Sequence, residues 1–503
     1  MKPTTWLHTL MALALPQLGW GQATVFDTVH LNPINSFLTG NSVFQTQNGY
    51  LVFGLGGDGT GAVQDPRSFQ FDENGGLLNT LIFPNSRLTE SGSFGPVDRC
   101  ASGGYVAGVN AFGNGISMDS LYLYRYDEQG DTLWIRYLTS DTTLAPRKCI
   151  ETSNGDFVIV GLHVWPKGAY MFRVTSEGDS IAFVNFGNDP AFFAMSVVED
   201  AEQNLFIAGY TDTGISEFQD RGYILKCGPG GEVLWWDAYP RDSGSNGLLL
   251  TNEGGVLGFG QKKNAQDFSG ALIVKYGSDG NQEWSRNDII FTDAETRFCT
   301  FTNGFQQPDG SFILCGTLRN TALGLFDKGM LYKFDEQGNT TWTRFYAHYA
   351  GLPSNYPQVF RDVKQTSDGG FILTGVTEGI APPNSQRLWL LKLDSMGCLV
   401  PGCNTVGVQE FESQLQSALH VSPNPASEAI RFSLELPSGY PLQGKVQALV
   451  LDAQGKEVLR TVVQPNGTLL SGSLALDGQA AGLYYLHVRD EVKWLAGAKV
   501  VLE

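Results

Sequence analysis

The chain has 503 residues, of which 33 are Lys or Arg and 51 are Asp or Glu, so its formal net charge at pH 7 is −18. Nucleic acids and anionic membrane surfaces both require clustered basic side chains, so this charge argues against either class of partner. Seven cysteines in a chain of this length do not make a disulfide scaffold.

The beginning of the chain has the pattern of an export signal. A basic residue precedes a mostly apolar stretch (residues 6–18), and Gly19 and Gly21 supply the small residues of a cleavage site before Gln22. The apolar run is shorter than the ~20 residues that span a bilayer, and no later segment approaches that length. We therefore expect residues 1–21 to be a signal peptide, with no transmembrane segment and a soluble, exported mature protein.

A repeated pattern fills residues 49–398. Each copy contains a turn, a short apolar strand that ends in Gly, a variable stretch, a second apolar strand and a polar turn, as in residues 368–375 (DGGFILTG) followed by 388–394 (LWLLKLD). The first turns of the copies lie 49 to 60 residues apart, at Gly49, Gly104, Gly155, Asn204, Gly255, Gly310 and Gly370. This is the length of four strands with loops, so the pattern predicts an all-β chain with a seven-bladed β-propeller at residues 22–403.

In four copies a Trp follows the Gly of the second turn by four places. The pairs are Gly130 and Trp134, Gly231 and Trp235, Gly280 and Trp284, and Gly338 and Trp342. A large flat side chain at a fixed offset is typical of packing between adjacent blades, and we favour this role over ligand stacking.

The last copy lacks a fourth strand, and the first copy is preceded by an unassigned one. Residues 23–31 form an apolar, strand-like run, and Phe26 lies 23 residues before Gly49, much as Trp134 lies 21 before Gly155. We predict that this N-terminal strand completes the seventh blade and closes the ring, which removes the exposed edges of a linear stack.

Two cysteines mark the end of the propeller. Cys398 and Cys403 flank a four-residue turn in a chain expected to be exported, and we predict a disulfide between them. The pairing of the other cysteines cannot be read from the sequence, although Cys100 and Cys149 each precede a turn and are candidates for equivalent positions in neighbouring blades.

A second domain is predicted at residues 417–503, after a polar linker (residues 404–416). Its segments carry a Ser-Pro-Asn-Pro opening, an Asp-x-x-Gly-Lys turn between apolar runs and a Gly-Leu-Tyr strand. The residues of these motifs are Pro423, Asn424, Pro425, Asp452, Gly455, Lys456, Gly482, Leu483 and Tyr484.

In their order and identity these motifs resemble the C-terminal type A sorting domain of type IX secretion cargo. The resemblance implies a small β-sandwich that the type IX machinery recognises, with the cargo released or attached at the outer cell surface after periplasmic export. An ordinary adhesive sandwich is the alternative interpretation of this domain.

The propeller region is similar to secreted bacterial repeat proteins whose blades carry Asp-Gly-Gly and Gly-x-x-x-Trp elements. That resemblance implies only the fold and a cell-surface or released location. The Gly-x-x-x-Trp element is also similar to the tryptophan-docking turn of quinoprotein propellers, but the Asp-to-Gly spacing from Asp127 to Gly130 is one residue shorter. A bound quinone is therefore not expected.

Acidic turns are candidate Ca²⁺ sites, and residues 127–131 and 335–339 present the most oxygen ligands. Neither turn contains the full Asp-x-Asp-x-Asp-Gly loop with a distal Glu. We favour turns in which Asp and Asn cap their own backbone, and we expect no cofactor and no metal site.

No catalytic motif is evident. The chain has six histidines and no His-x-His or His-Glu-x-x-His spacing, and no Gly-x-Ser-x-Gly stands between a strand and a helix. We therefore favour a non-catalytic binding module for a glycan or protein ligand.

The alternative is an extracellular enzyme that acts on polysaccharide at the central channel. Its catalytic groups would come from three longer inserts: residues 209–222 with Asp212 and Glu217, residues 316–329, and residues 375–388 with Pro382 and Pro383. Three or more carboxylates or imidazoles at one mouth of the channel would favour the enzyme, whereas amide and aromatic side chains would favour binding.

Overall fold

The computed structural model confirms the all-β prediction, and no α-helix occurs among the residues that it describes. These are residues 25–30, 37–57, 64–83, 93–110, 120–139, 144–163, 168–186, 191–212, 221–263, 269–287, 296–320, 325–348, 357–379, 385–399, 410–412, 415, 418–437, 440, 442–453, 455–491 and 493–503. Strands from Phe26 to Leu393 form antiparallel groups that correspond to the sequence repeats, and we call each group a blade.

The chain begins with β1 (Phe26–His30), and blades 1 to 4 follow in order. Blade 1 contains β2 (Leu38–Thr46), β3 (Gly49–Gly57), β4 (Gln64–Phe71) and β5 (Leu77–Ile82). Blade 2 contains β6 (Ser93–Phe94), β7 (Asp98–Arg99), β8 (Tyr105–Asn110), β9 (Ser120–Tyr126) and β10 (Thr132–Thr139). Blade 3 contains β11 (Leu144–Glu151), β12 (Phe157–His163), β13 (Gly168–Val174) and β14 (Ser180–Phe186). Blade 4 contains β15 (Ala191–Glu199), β16 (Leu205–Asp212), β17 (Arg221–Cys227) and β18 (Val233–Arg241).

Blades 5 to 7 complete the propeller. Blade 5 contains β19 (Ser243–Leu250), β20 (Val256–Lys263), β21 (Ser269–Tyr276) and β22 (Gln282–Arg286). Blade 6 contains β23 (Thr296–Gln306), β24 (Phe312–Asn320), β25 (Leu325–Phe334) and β26 (Thr340–Ala347). Blade 7 contains β27 (Gln358–Gln365), β28 (Phe371–Gly379) and β29 (Ser385–Leu393). In blades 1 to 6 the first strand in this order is the innermost and the last is the outermost, whereas in blade 7 the innermost strand is β27 and the outermost is β1.

The N-terminal strand closes blade 7, as predicted. β1 pairs antiparallel with β29, from Phe26 opposite Lys392 to His30 opposite Leu388. Asp27 anchors this pairing, because its Oδ1 accepts hydrogen bonds from Trp389 Nε1 (2.7 Å) and His348 Nδ1 (3.0 Å). The two ends of the propeller are therefore joined by a backbone ladder and a buried carboxylate.

The outer-strand tryptophans pack between blades. A Cβ added at Gly338, in the second turn of blade 6, would lie 3.2 Å from the ring of Trp284 in blade 5, and Trp284 Nε1 donates to Glu336 O (3.1 Å). Gly280 faces Trp235 in the same way, and Gly75 faces Phe26 of β1. These rings are half-buried, and each one fills the space beneath the turn of the next blade.

A basic residue opposite the Trp position recurs on the third strand of the blades. It forms an ion pair with an acid in the first turn of its own blade. The pairs are Lys392 with Asp368, Lys226 with Asp200, Lys275 with Glu253, Lys333 with Asp309, and Arg173 with Asp156. This ion-pairing role of the basic residue was not predicted from the repeat motif. Each pair ties the turn to the third strand within one blade.

Asp368 illustrates the electrostatics of these pairs. Burial favours its neutral form, but hydrogen bonds from Thr366 and from the buried Lys392 outweigh that cost and hold the pKa of Asp368 below its ordinary value. A depressed folded-state pKa adds stability that is present above the unfolded pKa and is lost as the pH falls through the folded one.

Replacement of Asp368 by Asn should therefore lower the free energy of unfolding by about 3 kcal/mol at pH 7, because it leaves the Lys392 ammonium buried without its counter-ion. As the pH falls through the lowered folded-state pKa of Asp368, the difference from the parent should shrink, because the parent carboxyl then becomes protonated as well. Urea unfolding at several pH values measures both effects. The double variant Asp368→Asn/Lys392→Met should recover most of the loss at pH 7, and a loss that does not change with pH would contradict this account.

The C-terminal unit, residues 419–502, consists of two sheets. The smaller contains β31 (Leu419–Ser422), β32 (Ala429–Glu435) and β35 (Leu469–Ala475). The larger contains β33 (Val446–Asp452), β34 (Glu457–Val463), β36 (Gly482–Arg489) and β37 (Lys493–Leu502). One apolar core includes Phe432 from the smaller sheet and Val450 and Leu486 from the larger.

The larger sheet is buried on both faces. Its second face carries Leu451, Tyr485 and Trp494, which belong to one buried cluster with Tyr346 and Leu399 of the propeller. A short strand, β30 (Glu410–Glu412), pairs in parallel with both β26 and β37. The C-terminal unit is thus docked on blades 6 and 7, which the sequence analysis had not anticipated.

Candidate functional site

The innermost strands share a feature that turns side chains toward the central channel. In six of these described strands the register shifts at the same point, which indicates a β-bulge. The residues that follow the bulge are Ser42, Lys148, Ser196, Gly247, Asn303 and Asp362. In blade 2 Pro96 lies between β6 and β7 at the equivalent place, where a residue without an N–H interrupts the strand.

Several of these side chains connect neighbouring blades. Ser42 Oγ accepts a hydrogen bond from Val97 N in blade 2 (2.9 Å), and Ser196 Oγ accepts one from Leu248 N in blade 5 (3.2 Å). Asp362 Oδ2 accepts one from Val43 N across the junction between blades 7 and 1 (2.9 Å). The shared role is structural, because each bond holds the inner strand of the next blade.

A cavity of about 290 Å³ occupies the channel at this level. One wall is charged: Lys148 Nζ lies 3.0 Å from Asp98 Oδ2, and Lys364 Nζ lies 2.7 Å from Asp362 Oδ1. The opposite wall is apolar and includes Val198, Leu249 and Phe305. The channel is therefore amphipathic, with two lysines that are each held by a carboxylate.

Asp362 is fully engaged by its neighbours. Besides Val43 N, it accepts hydrogen bonds from Asn303 Nδ2 (2.6 Å), Lys364 Nζ (2.7 Å) and Val363 N (2.9 Å). Burial disfavours the charged form of Lys364, but Asp362 and then Asp98 outweigh this and raise its pKa. A carboxylate with four donors and a paired ammonium is suited to a fixed polar wall rather than to proton transfer.

The groups expected to serve an enzyme are only partly described. Glu217, Pro382 and Pro383 lie outside the described residues, and Asp212 is described only as the backbone end of β16. The three described propeller histidines have structural contacts instead. His30 Nε2 bonds Gly75 O (3.2 Å), His163 bonds Asn185, and His348 bonds Asp27.

The predicted sorting residues converge at one end of the C-terminal unit. The Pro423–Pro425 segment lies along β37, where Asn424 Nδ2 donates to Lys499 O (2.7 Å) and Asn424 Oδ1 accepts from Val501 N (2.9 Å). On the other side of β37, Leu502 lies opposite Gly482, the first residue of β36.

Tyr484 of β36 lies opposite Asp452 of β33. The turn that follows β33 contains Gly455 and Lys456. Asp452 Oδ1 accepts a hydrogen bond from Lys456 N (2.9 Å), and Gly455 has a φ of +80°, which favours glycine. Tyr484 Oη donates to Ala480 O (2.7 Å). Three motifs that are spread from Pro423 to Tyr484 in the chain are therefore neighbours in the fold.

Cys398 is disulfide-bonded. Its predicted partner, Cys403, lies outside the described residues, so this pairing stays a prediction. Cys100 and Cys149 are free and buried, and burial raises the pKa of Cys100 to about 12. They are not equivalent: Cys100 begins the first turn of blade 2, whereas Cys149 lies within β11 opposite Ile159.

The acidic turns cap their own backbone. Asp127 Oδ1 accepts hydrogen bonds from Gln129 N and Asp131 N (both 2.9 Å), and Asp335 does the same for Gln337 and Asn339. Within the described ranges, no group of three or more His, Cys, Asp or Glu side chains is arranged to hold a metal ion. Nor does this part of the chain include a helix with the length and apolarity to cross a membrane.

Comparison with known proteins gives structural likeness alone. No protein-family profile matches the chain, and no curated protein matches it. The propeller domain of the Trilobed protease from Pyrococcus furiosus aligns with a TM-score of 0.42 and 9% identity, over 73% of this chain and 96% of that one. The periplasmic gluconolactonase of Pseudomonas aeruginosa aligns with a TM-score of 0.41 and 11% identity, over 72% and 97%.

The WD40 domain of Pan2 from Neurospora crassa aligns with a TM-score of 0.39 and 11% identity, over 72% of this chain and 97% of that one. Likeness at this level carries no information on activity or ligand. The strand order of the chain itself, with its successive antiparallel blades, is that of a β-propeller.

Proposed function

We propose that this protein is exported as cargo of type IX secretion and acts outside the cell as a non-catalytic binding module for a glycan or protein ligand. The observation that carries the proposal is the convergence of the Pro-Asn-Pro, Asp-x-x-Gly-Lys and Gly-Leu-Tyr residues at one end of the C-terminal unit. Motifs that are remote in sequence but adjacent in the fold make a single recognition surface for the secretion machinery.

The binding role is supported by the chemistry of the channel. The described lysines that line it, Lys148 and Lys364, are each paired with a carboxylate, and side chains at the bulge position join neighbouring blades. A fixed wall of paired charges opposite an apolar wall is an arrangement that binds and orients a ligand. An activity on polysaccharide would require acid and base groups from outside this set.

Expression in a bacterium that has type IX secretion tests the export role. Deletion of residues 418–503 should leave the protein in the periplasm, because the recognition surface is gone. Asn424→Ala should have the same effect to a lesser degree, since both of its hydrogen bonds to β37 are lost. Lys456→Ala removes an exposed side chain of the same surface with little expected effect on folding.

Asn466→Ala is the matched control, because Asn466 is an exposed residue of the same unit, outside the three motifs. Protease accessibility of the propeller on intact cells measures display, and fractionation measures periplasmic retention. Surface exposure of the truncated protein would refute the sorting assignment, as would equal display of Asn424→Ala, Lys456→Ala and Asn466→Ala.

A further inference from the structure

The junction between blades 1 and 2 departs from the packing of the tryptophan-filled junctions. Asn79 in β5 lies opposite Gln70, the place that Trp284 takes opposite Lys275 in blade 5. At Gly280, Gly338 and Gly397 the outer-strand Trp ring lies beneath the Gly of the next turn, whereas a Cβ added at Gly130 of blade 2 would meet Leu51 and Ser68. The space beside the outer strand of blade 1 is therefore not filled by an aromatic ring.

A second repeated contact is missing at the same junction. In four blades a Glu or Gln at or next to the end of the innermost strand accepts a hydrogen bond from a backbone N–H in the first turn of the preceding blade. These contacts are Gln45 with Ser367, Glu151 with Ser102, Glu199 with Ser153, and Gln306 with Asn252. Blade 2 has Arg99 at this place, which cannot accept a hydrogen bond, and its guanidinium pairs with Glu128 (3.0 Å).

The two departures leave a groove of about 900 Å³ between blades 1 and 2. Its polar lining includes Gln47, Asn48, Gln70 and Gln129, and the exposed side chain of Leu78 adds an apolar surface. The volume is within the range of about 300–1,000 Å³ that is typical of small-molecule sites. It is larger than the cavity in the channel.

The lining chemistry favours a neutral ligand with many hydroxyl groups. The side chains of Gln47, Asn48 and Gln129 make no hydrogen bond within the described part of the chain. A carboxamide offers two donor hydrogens and an acceptor oxygen, which complements hydroxyl groups that both donate and accept. Leu78 provides a surface for the apolar C–H face of a sugar ring, and the paired charges of Arg99 and Glu128 leave no net charge to select an ion.

We infer that the groove between blades 1 and 2 is a binding site for a neutral oligosaccharide. This inference rests on the proposed binding function and assigns that function a place and a ligand class. The missing tryptophan at Asn79 is then a feature of the site, because a ring at this position would lie beside Gln70, which lines the groove.

An array of neutral oligosaccharides of four to six units, including β-1,3- and β-1,4-glucans, xylans and mannans, tests the inference on the purified full-length protein. Uronate oligosaccharides on the same array test the charge selectivity. Affinities for the best ligand would then be measured by calorimetry for three variants. Asn79→Trp fills the groove, Gln47→Ala/Asn48→Ala removes two amides, and Ser153→Ala alters the corresponding turn of blade 3 as a control.

We expect the parent to bind a neutral oligosaccharide, the Asn79→Trp and Gln47→Ala/Asn48→Ala variants to bind it at least tenfold more weakly, and Ser153→Ala to match the parent. The two amide replacements are on an exposed hairpin, so their effect is separable from misfolding, which melting curves check. Equal binding by all variants would overturn the groove while leaving the binding function intact. Absence of glycan binding, or preference for uronates, would overturn the inference. Absence of glycan binding would also rule out a glycan as the ligand in the proposed function.

Discussion

Deletion of residues 23–31 from the mature chain is expected to lower the melting temperature sharply. The deletion removes β1, exposes the edge of β29, and strips Phe26 and Val29 from the apolar clusters that they pack against. It also leaves the indole N–H of the buried Trp389 without its acceptor. An unchanged melting curve would count against the joining of the two ends.

Point variants separate the role of the Asp27 anchor from that of the strand. Asp27→Ala should cost about 2–3 kcal/mol, because the donors of Trp389 and His348 both lose their partner. Thr28→Val is the matched control on the same strand, since the buried Thr28 Oγ1 has no hydrogen-bond partner in the described structure. The control should be neutral within about 0.5 kcal/mol.

Replacement of Trp494 by Ala should cost about 3–5 kcal/mol, measured by chemical denaturation. Its ring is fully buried in the cluster shared by the C-terminal unit and the propeller, and its Nε1 donates to the buried His487 Nδ1 (2.8 Å). The loss should also uncouple the two parts, so that the unit unfolds before the propeller. By contrast, the Nε1 of Trp389 donates to Asp27 and so stabilises the closure of the propeller.

Trp236→Ala is the control for Trp494→Ala. Its side chain is 51% exposed on the outer strand of blade 4 and makes an edge contact with Phe192. Its loss should cost at most about 1.5 kcal/mol. If Trp494→Ala were no more destabilising than this control, the docking of the C-terminal unit on blades 6 and 7 would be refuted.

The parts of the fold that repeat were predictable, because each repeat places the same physical requirement at the same offset. The Gly-x-x-x-Trp spacing predicted rings between blades, and Trp284 lies beneath Gly338 as expected. The spacing of Phe26 from the first turn likewise predicted the closing strand, and Phe26 lies opposite Lys392 where Trp284 lies opposite Lys275.

The channel and the docking of the C-terminal unit were not predicted. A β-bulge shifts six of the inner strands by one residue, so alternation alone does not reveal that Lys148 or Asn303 faces the channel. The docking did leave a signal: β33 is almost continuously apolar from Ala448 to Leu451, which indicates a strand buried on both faces.

The groove was not predicted from the sequence. Four places after Gly75, where four other copies have Trp, the chain has Asn79, and blade 3 has Ala182 at the same offset. Its ligand chemistry was not visible, because Gln47, Gln70 and Gln129 come from three different turns or strands. Only the fold brings those amides to one place.

Hydrogen exchange of the native protein, resolved to segments by mass spectrometry, tests the closed propeller most directly. In the closed ring the ladder amides of Phe26–His30 pair with β29, so they should exchange as slowly as those of the neighbouring β28. Exchange of residues 26–30 at the rate of an unstructured segment, while β28 stays protected, would show that the amino-terminal strand does not complete blade 7.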